Sequence, residues 1–545
     1  MRKGHTWTLG TAAGLLAGGV AAAAGFTGVP VANPRIPGVT LPSMLTPELQ
    51  QVAVAQGSIM LENGTTAFPF YGYDGDGTML PAPGDVQAVG HNVEATKTEP
   101  DKNTYLVLRG QQGADPAYDY GTHFLFQGHE LGVKDASGNA LGYITRVNLD
   151  ADALHRVTLL ASADVTGAPL PVIDGSTWDP FARRLLFTAE NGNKGGVWQA
   201  TLDVPSQVED ISGALGRGGY EGIQNDPAGN LYVLEDVGGK AGAVNTHAKQ
   251  PNSFFYRFVP KHPSDLTKGK LQVLQVMSLR TPGQPIAFHA GQADADILSD
   301  DVKDLHTYGK VFQTRWVTIH DTATDGTTPF DANALAKSAG ATPFKRPENG
   351  QWRPESWFTE FYFDETGDTN LDTEAGAAFG GFGAILKYTQ AGPTAQTGQL
   401  TLFYLCDAAH SGLDNVAFWS ANEIVFVEDA GDGLHRQRNA LDSAYLFDVR
   451  VNYGGPGNPQ PVRLLAEGRD PSATIDAGIG AIPNNGFNNE GDNEITGFHV
   501  SNGDPTVFGL LGVSAPRPFR RGWRAFYTQQ HGDNVTWELL PVGDD

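Results

Sequence analysis

Short apolar runs separated by turn residues recur along the chain, and the clearest example lies between residues 216 and 263. Leu231 to Leu234 is an apolar run typical of a buried strand, and the turn Asp226-Pro227-Ala228-Gly229-Asn230 precedes it. Asp at the turn entry, then Pro, with Gly near the end, are the residues that tight turns require. With Tyr220 to Asn225 as the first strand, the pattern predicts a β-hairpin that carries Glu221 on its first strand and Glu235-Asp236 after its second.

The same hairpin pattern recurs elsewhere in the chain. Asp414 begins a second copy that ends at Glu428-Asp429, and Asp414 and Glu428 are 14 positions apart, as are Glu221 and Glu235. A looser copy runs from residue 175 to residue 191. Three apolar runs that end in a carboxylate indicate a repeated β-unit, for which a β-propeller blade is the obvious candidate. The alternative is that turn, strand and acid form a common hairpin pattern without a repeat.

Composition favours an all-β fold. The chain has 545 residues with 68 Gly and 34 Pro, and many short apolar runs lie between them. No shift in composition marks a second domain, so residues 27–545 are predicted to form one propeller domain. The pattern of short apolar runs is weak only near residues 287–340. There we expect an irregular insertion, with some helix around residues 329–340.

The net charge of the chain argues against one class of binding partner. A formal net charge of −24 argues against nucleic acid as a partner, because binding to it needs a basic surface. An acidic excess suits cation binding, although solubility is its commoner cause. Cys406 is the single cysteine, so no internal disulfide can form.

The first 26 residues read as an export signal. Arg2 and Lys3 precede an apolar stretch from about residue 8 to residue 24, and Ala22-Ala23-Ala24 offers a small-residue cleavage site. The alternative, a retained membrane anchor, is less favoured because the stretch is rich in Ala and Gly. The sequence therefore predicts an exported protein, periplasmic or secreted, with no integral membrane span in the mature chain.

A set of short motifs, in order along the chain, resembles the PhoX-type alkaline phosphatase family. The motifs cover residues from about 120 to 535. They are His129-Glu130, Gly175-Ser176-Thr177-Trp178, Gly216-Arg217 to Glu221, Leu231 to Asp236, Tyr256 to Pro260, Arg346-Pro347-Glu348, Asp414-Asn415, Glu428-Asp429, Thr496-Gly497-Phe498 and Gln530-His531-Gly532.

The resemblance implies an exported β-propeller phosphomonoesterase in which acidic residues of the central channel hold iron and calcium. Bound cations allow a carboxylate-rich site to accept an anionic phosphate ester, and an Arg adds bidentate contacts to the phosphoryl group. On this basis Arg346 is the candidate for the phosphate, with His129 or His531 assisting, and a second Arg-Pro-Glu at residues 353–355 is the alternative. The candidate metal ligands are Glu130, Glu190, Glu221, Glu235 and Glu348.

Two departures from the family pattern bear on the metal. Where the family has Thr-Cys-Glu-Glu-Asn, this chain reads Phe187-Thr188-Ala189-Glu190-Asn191. Thr188 thus stands in place of the cysteine that ligates iron, and Ala189 stands in place of the first Glu. Without a thiolate the remaining ligands are oxygen atoms, which suit calcium better than iron.

Three functional hypotheses follow from these residues. The first is a metal-dependent phosphatase that acts on small phosphorylated substrates. The second is a propeller that has lost the chemistry and binds a partner, which the changes at Thr188 and Ala189 favour. The third is a calcium-dependent hydrolase of another ester or a lactone, which rests on analogy of fold alone.

Overall fold

The protein was analysed as a computed structural model, and the description below covers part of the chain. The described residues are 25–35, 41–75, 98–130, 141–457, 459–468, 494–530 and 534–543. The expected export signal lies almost wholly outside them, as does His531.

Most described strands belong to antiparallel units of four. Two strands come first, β1 (Met44–Leu45) and β2 (Leu49–Ala55). Unit one contains β3 (Thr104–Val107), β4 (His123–Gly128), β5 (Ile144–Asn148) and β6 (Val157–Ala161). Unit two contains β7 (Ser176–Asp179), β8 (Arg184–Ala189), β9 (Gly196–Ala200) and β10 (Val208–Asp210). Unit three contains β11 (Tyr220–Asn225), β12 (Leu231–Glu235), β13 (Phe255–His262) and β14 (Asp265–Val276).

The later units repeat this order. The long strand β15 (Val311–Asp321) comes first. Unit four contains β16 (Gly350–Trp352), β17 (Glu360–Glu365), β18 (Ala384–Gln390) and β19 (Thr397–Leu405). Unit five contains β20 (Leu413–Phe418), β21 (Glu423–Glu428), β22 (Ser443–Asp448) and β23 (Val462–Ala466). Unit six contains β24 (Glu494–Ser501), β25 (Arg524–Gln530) and β26 (Val535–Pro541), with β2 as its fourth strand.

The six units form a ring. The first strand of each unit packs against the first strands of the two neighbouring units, in the order β3, β7, β11, β16, β20, β24 and back to β3. These inner strands surround a central channel, and β2 closes the ring by pairing with β26. The predicted all-β propeller is therefore confirmed, and the three hairpins recognised in the sequence are the inner hairpins of units two, three and five.

The strands are buried on both faces, which explains why their sequences are continuous apolar runs and do not alternate between apolar and polar residues. Each sheet lies between two others, so β12 is buried along its whole length. Between units three and four the aromatic rings of Tyr232, Phe255, Trp316, Trp352 and Phe361 pack together, with centroids 4.9–5.4 Å apart in the closest pairs. This packing joins unit three to unit four.

The region near residues 287–340 is more regular than expected. It contains β15, which pairs with β14 and β19 and so joins units three and four into one nine-stranded sheet. The described helices are short: α1 (Ser212–Leu215), α2 (Ala293–Ile297), α3 (Asp300–Leu305), α4 (Thr322–Asp325), α5 (Ala332–Ser338) and α6 (Gly431–Arg438), with 3₁₀ turns at Gly192–Lys194, Ala377–Phe379 and Val507–Gly509. Helix α5 falls where helix was expected. None of these helices has the length and apolarity to cross a membrane.

Candidate metal centre

Acidic residues mark the same two positions in most units. One acid stands at or just before the start of the inner strand, and a second follows the end of the next strand within two residues. Because the two strands are antiparallel, these positions lie at the same end of the unit. The first set is Asp101, Asp174, Glu221, Glu348 and Asp414. The second set is Glu130, Glu190, Asp236 and Asp429.

All nine acids line one cavity at the mouth of the channel. The cavity has a volume of about 70 Å³, and Arg346 is its remaining lining residue. Within it, one ligand oxygen from each of four acids lies within 4.8 Å of the others, and a second group of three acids meets the same criterion. The four-membered cluster is Glu190, Glu221, Asp236 and Glu348, and the three-membered cluster is Asp101, Glu130 and Asp174.

Two carboxylate oxygens in the four-membered cluster are buried without a hydrogen bond from the described residues. They are Oε1 of Glu190 and Oε2 of Glu221. A buried polar atom normally has a partner, and a carboxylate oxygen is a ligand that hard cations prefer. The donor set and these two oxygens therefore fit bound cations.

The electrostatics of the cavity favour either protonated carboxylates or bound cations. Burial, followed by the charge of Asp236, raises the pKa of Glu348 to about 8. Burial and the neighbouring Asp414 raise the pKa of Asp101 to about 7. Burial first, and neighbouring carboxylates second, also raise the pKa values of Glu190 and Glu221 well above the usual range. These carboxylates can all be ionised at neutral pH only if cations balance them.

Arg346 is the one cation among the residues that line the cavity. Its Nε and Nη2 donate to Asp236 at 2.5–2.9 Å, and Nη2 lies 3.3 Å from Oε1 of Glu348. No described residue accepts a hydrogen bond from Nη1, and the side chain is 24% exposed. The guanidinium is thus fixed by carboxylates on one edge while its other edge can meet an anion. The alternative Arg353 pairs instead with Glu360, away from the cavity lining.

The structure brings together five of the residues proposed from the sequence and separates two others. Glu130, Glu190, Glu221, Glu348 and Arg346 all line the cavity. Glu235 and His129 are not among its lining residues, and His531 lies outside the described part of the chain.

Glu235 faces away from the cavity because neighbouring residues of a strand point to opposite faces. Its carboxylate accepts hydrogen bonds from the backbone N–H of Phe254, the hydroxyl of Tyr256 and the amide of Asn333, at 3.0–3.1 Å. Burial raises its pKa to about 8. Asp236, the next residue, belongs to the four-membered acidic cluster, and Glu235 does not.

His129 is held in place by hydrogen-bonding contacts and by ring stacking. Its two ring nitrogens meet the hydroxyls of Thr98 and Thr145 at 3.2 and 2.9 Å, and its ring stacks on Tyr143. Burial lowers its pKa to about 3, so the ring is neutral. With both nitrogens engaged, His129 is not positioned for proton transfer in the cavity.

Five lining residues were not among the candidates drawn from the sequence: Asp101, Asp174, Asp236, Asp414 and Asp429. The hairpin repeat could have found three of them, Asp236, Asp414 and Asp429, if its second acid is taken one residue later. Glu221 and Asp236 are 15 positions apart, as are Asp414 and Asp429.

The residue in place of the family cysteine offers no substitute ligand. Thr188 Oγ1 donates to the backbone carbonyl of Glu221 at 2.5 Å, so its hydroxyl is already engaged. Cys406 is buried in an aromatic cluster of units four and five and does not line the cavity. The residues that line the cavity therefore supply oxygen atoms as ligands.

Comparison with solved structures supports the architecture. Pseudomonas fluorescens PhoX, solved in complex with vanadate, a transition state analogue, aligns with a TM-score of 0.53 at 11% identity, over 94% of this chain and 98% of that one. TolB from Acinetobacter baumannii aligns at a TM-score of only 0.28, with 10% identity over 81% of this chain and 64% of its own. At 11% identity the PhoX alignment supports the fold alone, and the TolB alignment supports no conclusion.

Comparison of the sequence with known families is more specific. No curated protein matches the sequence. The family model described as alkaline phosphatase PhoX matches residues 214–508, which is more than half of the chain. The matched region includes Glu221, Asp236, Arg346, Glu348 and Asp414 of the cavity. The chain therefore belongs to the alkaline phosphatase PhoX family.

Proposed function

We propose that the protein is an exported, metal-dependent hydrolase of phosphate monoesters and that the carboxylate cavity is its active site. The observation that carries the proposal is the position of Arg346 among nine carboxylates at the channel mouth. A cavity built of carboxylates alone would repel a phosphate ester, whereas a cation-loaded cavity with one arginine attracts it.

The residues of the two clusters would hold the cations. Glu190, Glu221, Asp236 and Glu348 offer one site, and Asp101, Glu130 and Asp174 offer another. Bound cations supply Lewis-acid stabilisation of phosphoryl oxygens and activate the attacking oxygen. Since the ligands are oxygen atoms and Thr188 replaces a thiolate, calcium fits the donor set better than iron.

Arg346 would bind and orient the phosphoryl group. Asp236 holds its Nε and Nη2, which fixes the plane of the guanidinium, and Nη1 is left to donate to a phosphoryl oxygen. A guanidinium held in this way loses little conformational entropy when it binds the substrate, and its contacts can strengthen as charge develops on the phosphoryl oxygens.

The test combines metal analysis of the purified protein with hydrolysis of p-nitrophenyl phosphate. We expect bound divalent metal, hydrolysis that chelator abolishes and calcium restores, and loss of both metal and activity in Glu221→Gln. Glu235→Gln is the matched control, because Glu235 is a buried carboxylate of the same unit that lies outside the clusters.

A second candidate is a binding propeller without catalysis, which the replacement of the family cysteine by Thr188 favours. It predicts bound metal with no hydrolysis of any phosphomonoester. A protein that holds no metal and hydrolyses no phosphomonoester would refute the first proposal.

A further inference from the structure

Asn349 is a buried amide that contacts two carboxylates of the cavity. It stands between Glu348 and the start of β16, and it is fully buried. Its Nδ2 donates to Oε1 of Glu221 at 2.6 Å and to Oδ1 of Asp414 at 3.2 Å. One amide nitrogen of unit four thus engages carboxylates of units three and five.

The orientation of this amide is fixed by a contact at its oxygen. Nζ of Lys102 donates to Oδ1 of Asn349. A side-chain amide has one donor end and one acceptor end, whereas an ionised carboxylate only accepts. Because the oxygen is directed at Lys102, the nitrogen faces Glu221 and Asp414.

The hydrogen bond from Asn349 makes the two oxygens of Glu221 unequal. Oε1 accepts this hydrogen bond, whereas Oε2 is buried and has no hydrogen-bond partner among the residues that the structure describes. Glu221 belongs to the four-membered acidic cluster. A hydrogen bond to one oxygen orients the whole carboxylate, so Oε2 is held in place with its capacity for a cation unused.

Asp414 is held by the same kind of contact, but at both oxygens. Nδ2 of Asn415 donates to its two oxygens at 2.8–2.9 Å, and Asn349 adds a third hydrogen bond, to Oδ1. Asp414 lines the cavity without belonging to either acidic cluster. The amides therefore separate a carboxylate that keeps one oxygen free of hydrogen bonds, Glu221, from one that keeps none.

We propose that Asn349 is a positioning residue for the metal centre: its amide holds Oε1 of Glu221 and thereby presents Oε2 to the cation as a single ligand oxygen. Loss of a hydrogen bond that orients a metal ligand typically lowers metal affinity by about 10–100-fold. The inference deepens the proposed function and rests on it, because it takes calcium as the cation of the cavity.

The test measures calcium binding to the full chain by isothermal titration calorimetry. Asn349→Leu keeps a side chain of similar size without the donor, and the backbone hydrogen bonds of residue 349 with Asp364 remain. We expect the dissociation constant for calcium to rise by about 10–100-fold. The number of calcium ions per chain should stay at the wild-type value, because no ligand is removed, whereas Glu221→Gln should lower that number.

Asn225→Leu is the matched control. Asn225 is a buried amide of unit three whose Nδ2 donates to the backbone carbonyl of Trp178, and it does not line the carboxylate cavity. This change should leave the dissociation constant for calcium unchanged even where it lowers the melting temperature. An unchanged dissociation constant in Asn349→Leu, or an equal rise in Asn225→Leu, would overturn the proposal.

A second variant covers the case in which Asn349→Leu does not fold. Asn349→Ala removes the same donor without placing a larger apolar group among the carboxylates, and the same rise in the dissociation constant is expected. Failure of both variants to fold at saturating calcium would overturn the proposal, because Asn349 would then be needed for folding and not for the position of Glu221.

The outcome is separable from that of the proposed function. A wild type that binds calcium and hydrolyses no phosphomonoester would refute the phosphatase proposal, and the calcium affinity of Asn349→Leu would still decide the role of Asn349. A wild type that binds calcium and hydrolyses p-nitrophenyl phosphate, together with an unchanged affinity in Asn349→Leu, would refute the role of Asn349 alone. A wild type that binds no calcium would overturn both.

Discussion

Removal of the bound cations should make the stability of the protein fall as the pH rises. In the metal-free protein, burial raises the pKa of Glu348 from its ordinary 4.5 to about 8. The folded protein then holds this proton up to pH 8, whereas the unfolded chain releases it near pH 4.5. The folded state binds more protons between these values, so the free energy of unfolding decreases with pH.

The magnitude follows from the same pKa values. One pKa unit corresponds to about 1.4 kcal/mol, so the contribution of Glu348 is fully present below pH 4.5 and about 5 kcal/mol of it is lost by pH 8. Domains are typically stable by only about 5–15 kcal/mol, so this loss is large. Bound calcium requires the ionised carboxylate and should offset the loss, and its stabilising effect should therefore be greater at pH 8 than at pH 5.

Urea unfolding followed by tryptophan fluorescence, at pH 5 and pH 8 with chelator or with calcium, measures both effects. Glu348→Gln should flatten the pH dependence of the metal-free protein and reduce the calcium effect at pH 8. Glu235 provides the matched control, because burial raises its pKa to about 8 as well, yet it lies outside the metal clusters. Glu235→Gln should flatten the pH dependence and leave the calcium effect at pH 8 unchanged.

Two results would contradict this reasoning. One is a metal-free protein whose stability is flat or increases from pH 5 to pH 8. The other is a calcium effect that Glu235→Gln reduces as much as Glu348→Gln does.

Three further predictions concern single residues. Arg346→Lys should lower kcat/KM for p-nitrophenyl phosphate by about 10–100-fold, because lysine cannot keep the bidentate contact with Asp236, whereas Arg353→Lys should leave kcat/KM near the wild-type value. His129→Phe should lower the free energy of unfolding by about 1–3 kcal/mol, since the hydroxyl of Thr145 loses its partner while that of Thr98 keeps Tyr71 and Tyr143, and metal analysis should find the wild-type content. Asp236→Asn should lower the calcium content measured after dialysis. The same analysis of Glu428→Gln should show no change, because Glu428 pairs with Arg438 and does not line the cavity.

Much of the fold could be predicted from the sequence, because the inner hairpins carry strong local signals. The strand Tyr220–Asn225 agrees with its predicted bounds, and the turn at Asp226 is stabilised by hydrogen bonds from Ala228 and Asn230 to its carboxylate. Joining of units three and four through β15 could not be predicted, since its pairing with β14 and β19 depends on contacts between distant parts of the chain.

The metal clusters were only partly predictable, because local patterns do not fix which face of a strand a residue occupies. The register of β11 against β12 shifts between Tyr220 and Ile223, and that of β20 against β21 shifts between Leu413 and Val416. Such an irregularity changes the alternation of side chains by one residue. Counting along the hairpin therefore predicts Glu235, whereas Asp236 lies in the acidic cluster.

The pairing of β2 with β26 has a consequence for how the protein matures. The cavity draws its carboxylates from five units, spread from Asp101 to Asp429, so no single unit contains a complete cluster. Ring closure brings together segments nearly 500 residues apart, which is a slow kind of folding step. Both acidic clusters can form before this step, because one lies in units two to four and the other in units one and two. We therefore expect metal uptake during refolding to precede closure of the ring, and the interval between the two measures how slowly β2 pairs with β26.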